Sequence, residues 1–205
     1  MKYTTIIADI INSKEITNRE KFQDSLKNCL DKINRDTEHI ISPYTITLGD
    51  EFQAIYINSS NLINDIFKIL LNSYPAKIRF SIGIGDISTK LNYEYSLGMD
   101  GPAFHIARKG LKEMKNIDYS LIQVFNDLSQ DVKFINTTLR LSMAMMSDWK
   151  NNTFVIFNKL LNDKSVSAML PSLDITERAI YKIIKNNNLR EYVEYFSSLK
   201  NKIHP

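Results

Sequence analysis

The chain has one cysteine, Cys29, so no intrachain disulfide can form. That is the pattern of a reducing compartment. No apolar run approaches the roughly 20 residues of a membrane-spanning helix. The opening MKYTTIIADI reads as a strand and lacks the long apolar stretch of a signal peptide. A large excess of charge of one sign is also lacking: the net charge is +3, too mild to identify a nucleic-acid binder by itself. The expectation is a soluble, cytoplasmic protein.

The distribution of charge says more than its total. Residues 150–205 hold nine Lys/Arg against five Asp/Glu, and residues 1–149 hold seventeen against eighteen. The positive balance therefore lies in the C-terminal quarter, a modest hint of a basic partner surface. The 205 residues suit one large domain or two small ones, with ample apolar content for a core.

The stretch Thr45–Tyr56, TITLGDEFQAIY, organises the rest. Two period-2 runs flank Gly49-Asp50-Glu51, which predicts a β-hairpin with a tight turn. Gly49 takes the positive φ that such a turn requires. Asp50 and Glu51 then sit at the tip of a rigid ribbon, although Gly-Asp is also ordinary turn chemistry.

Taken in order, Tyr3–Ile11 reads as a buried first strand containing Asp9. A carboxylate there costs desolvation unless a cation pairs with it or it caps the next turn. Residues 18–37 read as a helix with Phe22, Leu26, Leu30 and Ile33 on one face and Asn18 as its cap; Cys29 lies beside that stripe as a small core residue. Ser59/Ser60 are expected to cap a helix carrying Leu62 to Leu71. Lys77–Ile84 is the next strand, Pro102 opens the helix FHIARKGLKEM, and Leu121–Phe125 is a last strand. Asp86 and Asp100 fall in Gly-rich turns, where turn-making is their expected job. The order β-α-β-β-α-β-α-β contains a split βαβ, ferredoxin-like unit, in which the end of strand one faces the hairpin tip.

Two carboxylates brought together, Asp9 and Asp50, repel unless a cation bridges them. Hard oxygen ligands suit Mg²⁺, which takes one or two carboxylates and fills its octahedron with water and phosphate. The expected site is therefore Mg²⁺-nucleotide at Asp9/Asp50, with Asn12-Ser13-Lys14 as the nearest phosphate cradle.

ADIINSK, TITLGDEFQ, IRFSIGIGDIS and GPAFHIARKG, in this order, resemble the class III nucleotidyl cyclase pattern over about residues 1–125. LGDEF is also similar to the GGDEF signature of diguanylate cyclases, which share the palm-like fold. As a whole the chain resembles the SatD family of small bacterial proteins, associated with acid-tolerance operons. The cyclase resemblance implies Asp9 and Asp50 as ligands of Mg²⁺ or Mn²⁺ and the Ile10 carbonyl as a backbone ligand. It puts Gly49 and Glu51 of the hairpin beside the nucleotide. It also implies a homodimer. Three positions depart from the pattern: Ile46 replaces the base-reading Lys, His105 the ribose-orienting Asn, and Lys109, with Arg108 beside it, the phosphate-steadying Arg. His105 and Lys109 are the candidate catalytic pair, and Arg108 a nucleotide contact; a solvated basic stripe is the alternative. Lys109 supplies charge without the guanidinium fork. The departures argue against adenylate cyclisation more than against a metal and triphosphate site.

Residues 126–149 are expected to form a connecting helix whose Met143, Met145, Met146 and Trp149 provide adaptable apolar packing. Three helical patterns follow. Leu170 to Ile183 resembles a helix-turn-helix with Leu173, Ile175, Ile180 and Ile183 as its core, Asp174 at the turn and Thr176 as the cap. Leu170 stands where a small residue is usual, and Pro171 shortens the first helix. Arg178, Tyr181, Lys182 and Lys185 project from the second helix, where they can reach phosphates and guanine edges of DNA. The alternative is a helical bundle that buttresses the first domain or a dimer.

The expected architecture is thus α+β: a ferredoxin-like, palm-like domain (1–125), a connecting helix (126–149) and a small all-α domain (150–205). Three functions follow: a nucleotide-responsive DNA-binding regulator, an active nucleotidyl transferase, or an interaction protein on a degenerate palm.

Overall fold

The computed structural model describes residues 2–35, 38–126 and 131–203. Five strands form one sheet: β1 (Tyr3–Ile10), β2 (Ile40–Leu48), β3 (Glu51–Tyr56), β4 (Ile78–Gly85) and β5 (Ile122–Phe125), in the order β2-β3-β1-β4-β5. The first four pair antiparallel, while β5 runs parallel to β4. β1 lies in the middle and is buried on both faces, which is why its sequence is apolar without alternation. The fold class is α+β.

The two-residue turn between β2 and β3 falls at Gly49-Asp50, with Gly49 at φ 53°. Helix α1 (Arg19–Ile33) opens on Asn18, whose side chain accepts from the Lys21 amide at 3.1 Å, and buries Leu26, Leu30 and Ile33. It ends at Ile33, short of the expected 37, and residues 36 and 37 lie outside the described ones. Helix α2 (Leu62–Ser73) starts after Asn61, whose side chain makes no capping bond to the helix. The expected Ser59 cap is spent elsewhere, its hydroxyl donating to the Lys200 carbonyl.

Helix α3 (Pro102–Met114) covers the face opposite α1 and α2. Its approach is close because Gly83 and Gly85 of β4 have no Cβ. One on Gly83 would meet the Ala103 carbonyl and lie 2.7 Å from the Ala107 nitrogen. This is the structural reason for the Ile-Gly-Ile-Gly strand. Ile7, Ile55, Phe104, Ala107 and Leu111 fill this second layer.

The connector expected over 126–149 is helix α4 (Val132–Met145); residues 127–130 lie outside the described ones. Asn136 of α4 accepts from the Val124 amide and donates to the Val124 carbonyl, both at 2.8 Å. One side-chain amide thus satisfies both backbone groups of Val124 on the edge strand β5. Beyond Trp149 come four helices rather than three: α5 (Asn151–Leu161), the single turn α6 (Val166–Met169), α7 (Glu177–Asn186) and α8 (Leu189–Ile203). Pro171, in a 3-10 turn, is what cuts α6 short. The main core cluster runs from Ile6 of β1 to Ile203 of α8. Its aromatic centre is Phe67 of α2, in edge contact with Phe157 of α5 and Phe196 of α8 at 4.9 and 4.7 Å.

Candidate functional site

Pairing in the sheet places Glu51, Asp9 and Arg79 side by side on three neighbouring strands. All three belong to the face covered by α3, because Ser81, two residues beyond Arg79, bonds the Ala107 carbonyl of that helix. Asp9 is only 6 % exposed. Its two carboxylate oxygens accept from Arg79 Nη1 at 3.3 and 3.2 Å, and Lys115 Nζ lies 3.4 Å away. Arg108 of α3 closes the row by pairing with Glu51. Two carboxylates are thereby surrounded by three cations.

The register sets Glu51, rather than Asp50, directly opposite Asp9. Asp50 is nevertheless adjacent: the Ile10 amide donates to its carbonyl at 3.0 Å. The Asp50 carboxylate accepts the Ser13 hydroxyl at 2.9 Å, and Gln23 of α1 donates to the Gly49 carbonyl at 3.0 Å. The hairpin tip is therefore tied both to the turn after β1 and to α1. In that turn Asn12 adopts φ 54° and donates to Glu15 at 3.1 Å. Ser13, Lys14 and Glu15 form a 3-10 turn, with Lys14 exposed.

His105 and Lys109, the expected catalytic pair, lie on the solvent side of α3. His105 is bonded to Asp100 at 3.0 Å, and Lys109, with its side chain 81 % exposed, stands 4.0 Å from Glu113. Of His105, Arg108 and Lys109, Arg108 is the one that reaches the hairpin. Asp86 pairs with Lys2 at 2.7 Å, which holds its carboxyl below the ordinary value. The Asp100 and Asp86 carbonyls accept from Ser88 and Ala103, so both aspartates serve their turns.

For an ion held by Asp9, Asp50 and the Ile10 carbonyl, the donors are the right chemical class, all oxygen. Their occupancy is not right. Asp9 is committed to Arg79 and Lys115, Asp50 to Ser13, and among the described residues no three His, Cys, Asp or Glu gather as a metal group. The repulsion that would call for a bridging ion is answered by the chain's own cations. As arranged, these residues do not fit a resident Mg²⁺ or Mn²⁺.

Arg79 and Lys115 are the residues that sequence reasoning passed over. The signal for Arg79 was an arginine inside the β-strand pattern of KIRFSIGI, between the apolar Ile78 and Phe80. Lys115, one residue past α3, gives no local signal. It becomes meaningful only once α3 is laid over β1.

In the C-terminal helices, Thr176 caps α7, its hydroxyl oxygen accepting from the Ala179 amide at 3.2 Å. Ile180 and Ile184 face the core, while Arg178, Tyr181, Lys182 and Lys185 are exposed at a spacing that aligns them on one side. Met143, Met146 and Trp149 are buried, and Met145 faces water. Cys29 is half-buried against the core, and burial raises its thiol pKa, as suits an inert packing residue. No described helix is long and apolar enough to cross a membrane.

The SatD family profile matches residues 3–198. No curated protein matches the chain.

Proposed function

The chain belongs to the SatD family, and on that premise we propose that it is a nucleotide-responsive regulator. In this reading it holds a nucleoside triphosphate at the charged end of the sheet and DNA along α7. The first half is read as a ferredoxin-like unit of the nucleotidyl cyclase or palm kind, with β5 added beside β4. The last helices are read as a helix-turn-helix-like module, and the place of action as the cytoplasm.

The observation that carries the reading is the row Glu51–Asp9–Arg79 closed by Lys115 and Arg108. It supplies fixed cationic donors where the first strand ends and the hairpin tip arrives. Phosphate oxygens are recognised by such donors, arginine above all. Asn12, Ser13 and Lys14 flank this place, and Arg108 takes the part expected of Lys109. Mg²⁺ or Mn²⁺ enters with the nucleotide as the counter-ion of its phosphates. Helix α5, which packs on α2, α7 and α8, is the physical link from sheet to α7. The reading includes a homodimer formed through the exposed Phe134, Leu141 and Met145 of α4.

The test is a panel of nucleoside triphosphates with Mg²⁺, Mn²⁺ or a chelator, read for thermal shift and for pyrophosphate release in the same tubes. A shift without release is expected. Release would make the protein an active nucleotidyl transferase, and neither signal would leave an interaction protein. Sedimentation with and without nucleotide checks the dimer, and a monomer in both removes that part.

A further inference from the structure

Where β1 stops and β4 and β5 begin, the molecule has a cavity of about 640 Å³ that is open to solvent on one side. That is within the range of about 300–1,000 Å³ that small-molecule sites occupy. It lies between the sheet and the C-terminal helices, and besides aliphatic side chains and the carboxylate of Asp118 three kinds of group line it.

The first kind is aromatic. Trp149 contacts Phe154 at 5.4 Å, and Phe154 contacts Tyr74 at 6.0 Å, a fixed chain of rings along one wall. Tyr119, in the loop between α3 and β5, adds a fourth ring. It is 52 % exposed and held at φ 55°. A bulky residue in the left-handed region is an outlier that its surroundings must sustain, and such outliers gather at ligand sites.

The second kind is cationic. Lys77, Arg79 and Lys115 all reach the cavity. Arg79 is committed to both oxygens of Asp9; Lys115 also pairs with Asp9, at 3.4 Å, but is half-exposed, and Lys77 is exposed, so these two ammonium groups can also reach an anion. The third kind is an unsatisfied hydroxyl. Ser120 lines the cavity, is 3 % exposed, and its Oγ has no hydrogen-bond partner among the described residues. A buried polar atom left so carries a desolvation cost that a ligand's donor or acceptor would relieve.

Aromatic walls, two available ammonium groups and one orphan hydroxyl describe the recognition of a flat heteroaromatic ring joined to phosphate. Resting on the nucleotide reading above, we infer that this cavity receives the base of the nucleotide. The base lies against the Trp149–Phe154–Tyr74 wall with Tyr119 over it, and Ser120 bonds its polar edge. The phosphate nearest the sugar takes Lys115 and Lys77. The base is thus read inside one chain, between the sheet and the C-terminal helices.

Trp149 is the only tryptophan in the sequence, so tryptophan emission comes from one ring on the cavity wall. Each ribonucleoside mono- and triphosphate, adenosine and inorganic phosphate are titrated into the full-length protein. Trp149 emission and the thermal midpoint are read on the same samples. At least one mononucleotide should change the emission saturably, and inorganic phosphate should not. Tyr119→Asn keeps a residue that accepts left-handed geometry, and Lys115→Gln leaves Arg79 on Asp9. Each should weaken the apparent affinity about ten-fold or more. A thermal shift with no emission change would leave the nucleotide reading standing and overturn the cavity assignment. So would an emission change of equal affinity in both variants. Neither signal with any nucleotide would overturn both.

Discussion

Asp9 and Arg79 face each other across β1 and β4, and one guanidinium nitrogen reaches both carboxylate oxygens, at 3.3 and 3.2 Å. Both side chains are largely withdrawn from water. The contact explains how an aspartate sits inside an apolar strand, since its charge is matched within the sheet. It also ties the fold to the proposed site, because the same arginine borders the cavity.

Breaking a buried pair by removing one partner strands the other charge, at a cost of about 3–5 kcal/mol. Asp9→Asn is expected to lose stability on that scale in urea unfolding. Asp50→Asn weakens a half-exposed bond from Ser13 and should lose about 1 kcal/mol. Equal losses in the two variants would refute the assignment of Asp9 as the buried member.

Arg108 and Lys109 are neighbours in sequence with different surroundings, the first on Glu51 and the second in solvent. Arg108→Ala should reduce the thermal shift given by a nucleoside triphosphate, while Lys109→Ala should leave it unchanged. The reverse order would restore Lys109 to the phosphate-steadying position implied by the cyclase resemblance.

Tyr56 donates to Asp65 at 2.9 Å, and its hydroxyl shares a second bond, 3.2 Å long, with the hydroxyl of Tyr44, deep in the core. Burial first, and then the neighbouring hydroxyl and carboxylate, push the Tyr56 pKa well up; burial and Asp65 do the same to Tyr44. A group that holds its proton more tightly when folded contributes stability fully below its unfolded pKa, about 10. That contribution is lost as pH rises above it. Tyr44→Phe should therefore flatten the alkaline fall in stability by up to about 1.4 kcal/mol per pH unit. Urea midpoints of both proteins on either side of about pH 10 measure it. Parallel pH profiles would count against the account.

On α7, Lys182 and Lys185 are the expected phosphate contacts and Arg178 the expected base reader. Lys182→Ala should lower the salt slope of DNA binding by about one. Arg178→Ala should cost roughly 1–3 kcal/mol and relax one position of the selected site. Selection from random duplex, followed by titration across salt, decides this. No enrichment and no binding at low salt would make α7 a packing helix.

Much of this was legible because it is local. Gly49 announces its turn, Asn18 and Pro102 mark helix starts, and the alternation through Phe52, Ala54 and Tyr56 marks β3. Arg79 and Lys115 acquire meaning only through register and through the placement of α3, which no window of sequence contains. Helix α8 was obscured by Asn186-Asn187-Asn188, which reads as a terminus. Only the spacing of Leu189, Val193, Phe196 and Leu199 marks the helix beyond it. Ser59 looked like a cap because its partner, the Lys200 carbonyl, is far along the chain.

Phe67 has a practical meaning for anyone dissecting this protein. It belongs to a helix of the sheet layer, yet it spends its ring on Phe157 and Phe196. A fragment ending near residue 125 would present that ring to solvent, and a fragment starting near 150 would present the other two. Each piece would carry a sticky aromatic face, so truncations are expected to associate with one another or precipitate. Questions about either half are better put to the intact chain through point substitutions.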